Sequence, residues 1–378
     1  MNEPLSKVPG GMRYHFGAEA RLRRAVEDTV MRVFDGWSYE EIATPSVDYY
    51  ALFERGMGRD EAQRAFRFTD ADGRTLALRP DVTSSVARAA ATLFAGRARP
   101  LRFCYAATVF RQRPRSHAEW RRQSRQLGCE LIGAHGGAAD LETLIIASEV
   151  LESLGLGGSY RVTLNHVGIF NGVAAELGLD AASRDLMRSL IDTRDSAELG
   201  RFLAARAAGS GDRAEALTSC LTSLSGKRET LDEARTLMPA ARAVEALDAL
   251  AETWRVLDAL GLERGFEIDF GDVAGLDYYT GLIFKIYVAG AGARVGGGGR
   301  YDELTANFGA REPAVGFVLD LDALTEVLSR GRRFAVFGDA DMETPAIEGT
   351  TTRELFLEAR RRRSSGERLR VGLKREGD

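Results

Sequence analysis

Lysine, proline, cysteine and histidine are scarce in this 378-residue chain. The three cysteines, Cys104, Cys129 and Cys220, are far apart and odd in number, and no C-x-x-C pair occurs. The four histidines, His15, His117, His135 and His166, do not cluster with them or show ligand spacing. That pattern argues against a disulfide framework and a zinc site. None of the histidines is read as catalytic, and no metal or other cofactor is expected. An uninterrupted apolar run of about 18 residues, the length that spans a bilayer, is absent. Met1 to Lys7 lacks the apolar segment of a secretory signal. A reduced, cytoplasmic protein with no membrane partner is expected. Net charge is −4, which gives no global field toward DNA, RNA or anionic lipid. Lysine occurs only at Lys7, Lys227, Lys285 and Lys374, so the basic side chains are nearly all arginine.

The hydrophobic fraction of 44% and charged fraction of 28% are those of a globular protein with a sizeable core. The length suits one large domain with an appendage, or two domains. Apolar periodicity predicts a helix over 17–35 with Leu22, Val26, Val30, Val33 and Phe34 on one face. Trp37 to Phe53 reads as an extended segment broken at Pro45. Short strands at 65–69 and 74–79 flank the turn Asp70-Ala71-Asp72-Gly73, a hairpin signal. A helix runs from about 81 to 94, with Asp81 or Thr83 as its cap. Strands follow at 101–111 and 126–132, with a basic loop over 114–125 between them. The helix from Asp140 to Leu154 has Leu141, Leu144, Ile145, Ala147, Val150, Leu151 and Leu154 inward. A strand at 160–165 and a helix at 168–177 come next. From about 181 to 262 the composition turns to Ala, Leu, Arg and Glu, which predicts a helical insertion without strands. Strands return at 266–270, 282–289, 292–296 and 314–318, with a helix at 321–328. Strands adjacent in sequence, with helices held apart, indicate an α+β fold with a mainly antiparallel sheet. The core is expected over 1–330. A short segment, 331–378, reads as one β-α-β unit too small to bury a core alone.

Several clusters carry chemistry. Phe270 to Phe284 runs from a small-residue turn into Asp277, Tyr278 and Tyr279, then into an apolar strand. A carboxylate with two phenols suits a small polar ligand bearing an ammonium. Gln126 and Glu130, four apart on a strand, share a face. Either they line a ligand pocket or that face is wetted by solvent. Arg79-Pro80-Asp81-Val82-Thr83 is either a capped helix start or an acid and hydroxyl that read a ligand amine. Gly296 to Gly299 lacks the strand and helix context of a phosphate loop, so a tight turn is expected there. The run Arg360 to Arg363 reads as a solvated helix face.

The order of these motifs resembles the class II aminoacyl-tRNA synthetase core and, within it, the histidyl-tRNA synthetase family. Tyr39 to Phe53 looks like the dimer-forming first motif. Phe110-Arg111 with Gln126-Leu127-Gly128-Cys129-Glu130 looks like the second. Leu276 to Gly281 is similar to the histidine-reading loop, and Gly298 to Asp302 with Val315-Gly316-Phe317 leads into the third motif. The resemblance implies histidine contacts from Asp81, Thr83, Arg111, Gln126, Glu130, Tyr278, Tyr279 and Tyr301. The departures lie on the ATP side. The arginine that precedes the Gly-Leu-Asp-Tyr-Tyr run in that family is Ala274 here. In Leu319-Asp320-Leu321-Asp322-Ala323 the third-motif arginine is Ala323 and the glycine is Asp320. The acid that follows the second-motif arginine also has no counterpart in Gln112-Arg113-Pro114. Arginine forks stabilise charge developing on phosphate, and each is worth roughly 10³–10⁵ in phosphoryl-transfer rate. Adenylation is therefore expected to be absent, and 331–378 leaves no room for an anticodon-binding domain.

A synthetase-like core without its ATP chemistry resembles the regulatory subunits of ATP phosphoribosyltransferase. The resemblance implies a non-catalytic chain in the first step of histidine biosynthesis and its feedback control by histidine. Its partners would be a short-form catalytic subunit, a second copy of itself in a larger hetero-oligomer, and free histidine. Neither DNA nor tRNA is expected. Competing readings are a divergent histidyl-tRNA synthetase or amino-acid ligase that still adenylates, and a non-catalytic RNA-binding module.

Overall fold

The computed structural model describes residues 6–113, 120–206, 211–273, 279–330, 346–347 and 351–371. They fall in two compact units, 1–334 and 335–378. The first unit opens with helix α1 (Gly17–Gly36), whose five expected apolar residues are all buried. Strand β1 (Glu40–Glu41) follows. A small antiparallel sheet has the order β2 (Val47–Tyr49), β4 (Thr75–Leu78), β3 (Arg67–Thr69), with helices α2 (Tyr50–Met57) and α3 (Arg59–Ala62) between β2 and β3 in sequence. The β3–β4 turn is closed by Asp70, whose Oδ1 accepts the Asp72 and Arg74 N–H groups, and by Gly73 at φ +82. Helix α4 (Thr83–Ala91) starts at the Asp81 carboxylate, which accepts the Thr83 and Ser84 N–H groups at 3.3 and 3.0 Å.

The main sheet begins with the long pair β5 (Leu101–Phe110) and β6 (Gln123–Ile132). Helix α5 (Gly137–Ser153), strand β7 (Tyr160–His166) and helix α6 (Val167–Glu176) come next. The insertion comprises α7 (Ala181–Asp192), α8 (Ser196–Ala204), α9 (Gly211–Thr222), β8 (Ser225–Gly226), α10 (Glu229–Leu237) and α11 (Ala241–Ala259). Then follow β9 (Phe266–Asp269), β10 (Leu282–Val288), β11 (Gly296–Arg300), β12 (Ala314–Asp320) and α12 (Leu321–Arg330). The described strands form a nine-stranded sheet of order β1-β5-β6-β12-β11-β10-β7-β9-β8. Only the β1–β5 and β7–β9 pairs in it are parallel. The fold is the expected α+β, a mainly antiparallel sheet flanked by helices.

Four local expectations are corrected. The Gly296 to Gly299 run is strand β11, in mid-sheet, and not a tight turn. Its neighbours leave no room for side chains: a Cβ at 298 would overlap the Gly316 carbonyl and the Phe317 side chain. A run without side chains has no alternation to read, so the pattern looked like a turn. The insertion is not strand-free, because Ser225 and Gly226 pair with Asp269 and Ile268. Strand β6 starts at Gln123, inside the segment read as loop, because Gln123, Ser124 and Arg125 pair across to Phe110, Val109 and Thr108. On α5, Leu141 and Ile145 are only half-buried, whereas Ile146 and Thr143 are buried. That helix is covered by α1 and α11 as well as by β12, so a single-face reading rotates it.

His166 ends β7 and caps α6. Its Nδ1 accepts the Gly168 N–H at 3.0 Å. Burial, and then the Arg300 charge, holds its pKa down from 6.5 to about 4. The unfolded chain thus takes up a proton that the folded one refuses, and stability falls as pH drops from 6.5 to about 4. His166→Asn keeps a capping oxygen without a titrating group. It is expected to flatten the pH dependence of the denaturation midpoint in that window. An unchanged slope would assign the dependence to other groups.

The second unit is a single β-α-β turn. Strands β13 (Ala346–Ile347) and β14 (Arg370–Val371) pair in parallel, and helix α13 (Thr352–Ser364) lies between them in sequence. Leu355 and Ala359 are its buried residues, with Leu369 and Val371 against them. Thr351 caps the helix by accepting the Glu354 N–H at 3.3 Å. Arg361 lies on an exposed face, paired with Glu358.

Candidate functional site

A pocket opens on one face of the main sheet, above β6, β12, β11 and β10. Its floor is glycine-rich because larger residues would collide. A Cβ at Gly128 would meet the Tyr105 ring at 2.5 Å, and one at Gly316 would overlap the Glu130 carboxylate and the Cys129 carbonyl. Gly316 lies opposite Glu130, and Gly299 lies opposite Gly316 on the other side. A Cβ at Gly299 would come within 3.0 Å of the Tyr279 ring. Bare backbone at the floor lets Glu130 and Tyr279 lie where they do.

At one end sits Glu130, 2% exposed. Its Oε1 accepts Thr83 Oγ1 at 2.7 Å and the Tyr105 hydroxyl at 3.2 Å, and its Oε2 accepts the Tyr301 hydroxyl. These three partners are neutral hydroxyls. Burial pushes the Glu130 carboxyl up to about 8; the hydroxyl donors oppose that rise, and the nearby Asp81 charge adds to it. Asp81 also lines the pocket while it caps α4, and it holds Ser84 Oγ at 2.7 Å. A buried acid and its acidic neighbour make this end selective for an ammonium or another cationic donor.

The other end is arginine-lined. Arg111 enters where β5 leaves the sheet, its N–H bonded to the Arg122 carbonyl at 2.8 Å. Arg121 lines the same end and pairs with Glu326 on α12 at 2.6 Å. Gln126, 9% exposed, sits on β6 opposite Asp320. Asp320 points its Oδ1 at the Ala323 N–H, 2.9 Å away, and so starts α12. Its carboxyl is raised by burial and by the like charge of Asp322, while the Ala323 N–H, Arg121 and Arg111 pull it down. Ala323 offers the pocket only a methyl group.

The structure thus brings Asp81, Thr83, Arg111, Gln126, Glu130, Tyr279 and Tyr301 to one pocket, with Ala323 at its edge. Ala274 and Tyr278 lie outside the described residues. Sequence reasoning missed Tyr105, Arg64, Arg121, Asp272 and Lys285, which line the pocket or bond its acid. For Tyr105 a signal existed: it faces Gly128 across the β5–β6 pair, and a glycine inside a strand marks a close approach. Arg79, next to the expected ligand segment, serves the scaffold instead. Its buried guanidinium donates to the carbonyls of Thr108 and Thr44 at 2.7 and 2.6 Å.

One acidic end and one arginine end fit a zwitterionic amino acid, with its ammonium at Glu130 and its carboxylate toward Arg111. Comparison with known proteins identifies the family of this chain. Residues 11–324 match the histidyl-tRNA synthetase family profile. The chain is 33% identical, over 97% of its length and 92% of the relative, to the ATP phosphoribosyltransferase regulatory subunit of Desulfitobacterium hafniense (strain Y51). It is 38% identical, over 87% of its length and 83% of the relative, to that of Moorella thermoacetica. A solved structure from Bacillus halodurans C, described as an ATP phosphoribosyltransferase regulatory subunit/histidyl-tRNA synthetase, aligns with a TM-score of 0.85. Identity to it is 28%, over 98% of this chain and 93% of that one. The chain belongs to the ATP phosphoribosyltransferase regulatory subunit family, which shares the histidyl-tRNA synthetase-like class II fold.

Proposed function

We propose that this chain is a non-catalytic, cytoplasmic regulatory subunit that binds a short-form ATP phosphoribosyltransferase catalytic subunit and senses free histidine in the pocket. The observation that carries the reading is the unequal survival of the pocket. The amino-acid end keeps a buried acid with its hydroxyl donors, facing Arg111. Beyond Arg111, at the arginine-lined end where a triphosphate would lie, stand Ala323 and the Asp320 carboxylate. A carboxylate there repels phosphate, and an alanine gives it no donor. Histidine would favour one arrangement of the complex over another. Such coupling is typically about 1–3 kcal/mol and reciprocal, so the catalytic partner would change histidine affinity by the same factor.

A homodimer through the small β2–β4–β3 sheet belongs to the same proposal. That sheet exposes Val47, Tyr49 and Phe68 at 40, 45 and 43%, an apolar group that a second copy would cover.

Titration calorimetry with histidine, on the chain alone and on its complex with a short-form transferase, tests the sensing. Heat with saturation is expected in at least one of them, and none in either would remove the claim. ATP–pyrophosphate exchange in the presence of histidine is expected to stay at background. Measurable exchange would make the chain a ligase and overturn the regulatory reading.

A further inference from the structure

We propose that Arg194, in the turn between α7 and α8, is a positioning residue that ties the helical insertion to the pocket by holding the Asp269–Asp272 segment. The inference rests on the amino-acid pocket proposed above and adds a residue remote from that pocket's acid. Arg194 has an unusual backbone for a non-glycine residue, φ +53. Its guanidinium lies directly over Gly271, where a Cβ would meet its Cζ at 2.6 Å. Two restricted backbone positions therefore serve the placement of one side chain.

That side chain joins three parts of the fold. Nη1 donates to the carbonyl of Thr222, the last residue of α9, at 2.7 Å. Nη2 donates to Asp269 Oδ2 at 2.7 Å and lies 3.6 Å from Asp272 Oδ1. Asp272 also lines the pocket and is 7% exposed. The same carboxylate receives Thr163 Oγ1, the Tyr287 hydroxyl at 3.3 Å, and Lys285 Nζ at 3.2 Å. Lys285 is likewise a pocket residue, and its Nζ lies 4.0 Å from Asp192 at the end of α7. Asn165 Nδ2 fixes the backbone of the segment through the Phe270 and Asp272 carbonyls, at 3.1 and 3.2 Å. The insertion's own strand β8 pairs with β9 beside it.

Removing the guanidinium leaves two nearly buried carboxylates, Asp269 and Asp272, near each other, with the Lys285 ammonium 3.2 Å from Asp272. Their repulsion acts on residues 269–273, of which Asp272 is pocket wall, and on the Lys285 ammonium, which lines the pocket too. A positioning role predicts an effect on the pocket larger than the effect on the insertion's own helices.

The test compares Arg194→Ala with Arg194→Lys and with Arg235→Ala, which breaks the exposed Arg235–Asp248 pair elsewhere in the insertion. Amide hydrogen exchange on the intact chain is the ligand-free readout. Arg194→Ala is expected to speed exchange across 269–273 and in β10 by on the order of tenfold. Arg235→Ala should leave both segments unchanged. In calorimetry, Arg194→Ala is expected to weaken histidine binding by on the order of tenfold. Millimolar guanidinium should restore part of that loss, and lysine should restore less because it lacks the fork that reaches Thr222 and Asp269 together. Unchanged exchange at 269–273 in Arg194→Ala would overturn the proposal. So would equal speeding across every helix of the insertion, which would mark Arg194 as a general stabiliser. If the parent chain binds no histidine, the histidine reading falls and the exchange experiment still decides the role of Arg194.

Discussion

Glu130→Gln is expected to weaken histidine binding by on the order of 10²-fold and to leave the unligated protein no less stable than the parent near neutral pH. The two effects have one cause. Glu130 is the buried acid at the ammonium end, and hydroxyls of Thr83, Tyr105 and Tyr301 donate to it. Glutamine keeps the shape and can still accept from Thr83, but it offers no charge to an ammonium. Burial raises the Glu130 carboxyl from 4.5 to about 8, so the folded protein keeps a proton that the unfolded chain has already released. Between those values the native state binds more protons. Stability therefore falls as pH rises from 4.5 to about 8, and the glutamine variant should lack that fall.

The same proton has a thermodynamic signature in binding. An arriving ammonium favours the ionised carboxylate, so histidine should displace the proton near pH 7, and affinity should strengthen between about pH 7 and 8. Calorimetric heats should then depend on the ionisation enthalpy of the buffer. Equal heats in phosphate and Tris would show that Glu130 does not change protonation on binding. Parent-like affinity in Glu130→Gln would remove it from the site altogether.

Gly316→Ala is expected to cost about 3 kcal/mol or more of stability and to eliminate histidine binding in whatever folded protein remains. A methyl group at 316 would overlap two things that cannot easily yield. One is the Cys129 carbonyl of the neighbouring strand. The other is the Glu130 carboxylate, held by Thr83, Tyr105 and Tyr301. Gly200→Ala in α8 is the matched control, since the nearest atom to its Cβ would be Thr218 Oγ1 at 3.6 Å. Glycine in a helix interior costs roughly 0.5–1 kcal/mol relative to alanine, so the control should be neutral or stabilising. Chemical denaturation and calorimetry on both variants check the contrast. A Gly316→Ala protein with parental midpoint and parental affinity would mean that the strand relaxes around the new methyl group.

What the sequence made legible follows from how local each signal is. Helix α1 carries its own apolar stripe, and the β3–β4 turn carries its own Asp and Gly, so both were readable in isolation. Gln126 and Glu130 share a face by strand geometry alone, and they do line one pocket. Strand β11 was misread because its assignment depends on Gly316, Phe317 and Phe284 pressing against it from β12 and β10. Arg121 and Asp272 reach the pocket from separate segments, and nothing local announces them, whereas Tyr105 is signalled only by the glycine opposite it on β6. Arg194 is further still from legibility. Its meaning appears only once α9 ends beside β9 and Gly271 leaves space beneath the guanidinium.

A binding site floored by Gly297, Gly298 and Gly316 has a one-way response to mutation. No smaller residue exists, so every substitution there can only shrink the cavity or push its strands apart. Wider ligand tolerance cannot arise from the floor. It has to come from trimming the walls, at Gln126, Tyr279 or Tyr301, each of which has atoms to lose. A saturation library over the three glycines should return only losses of binding. The same library over the three wall positions is where a changed ligand preference would be found.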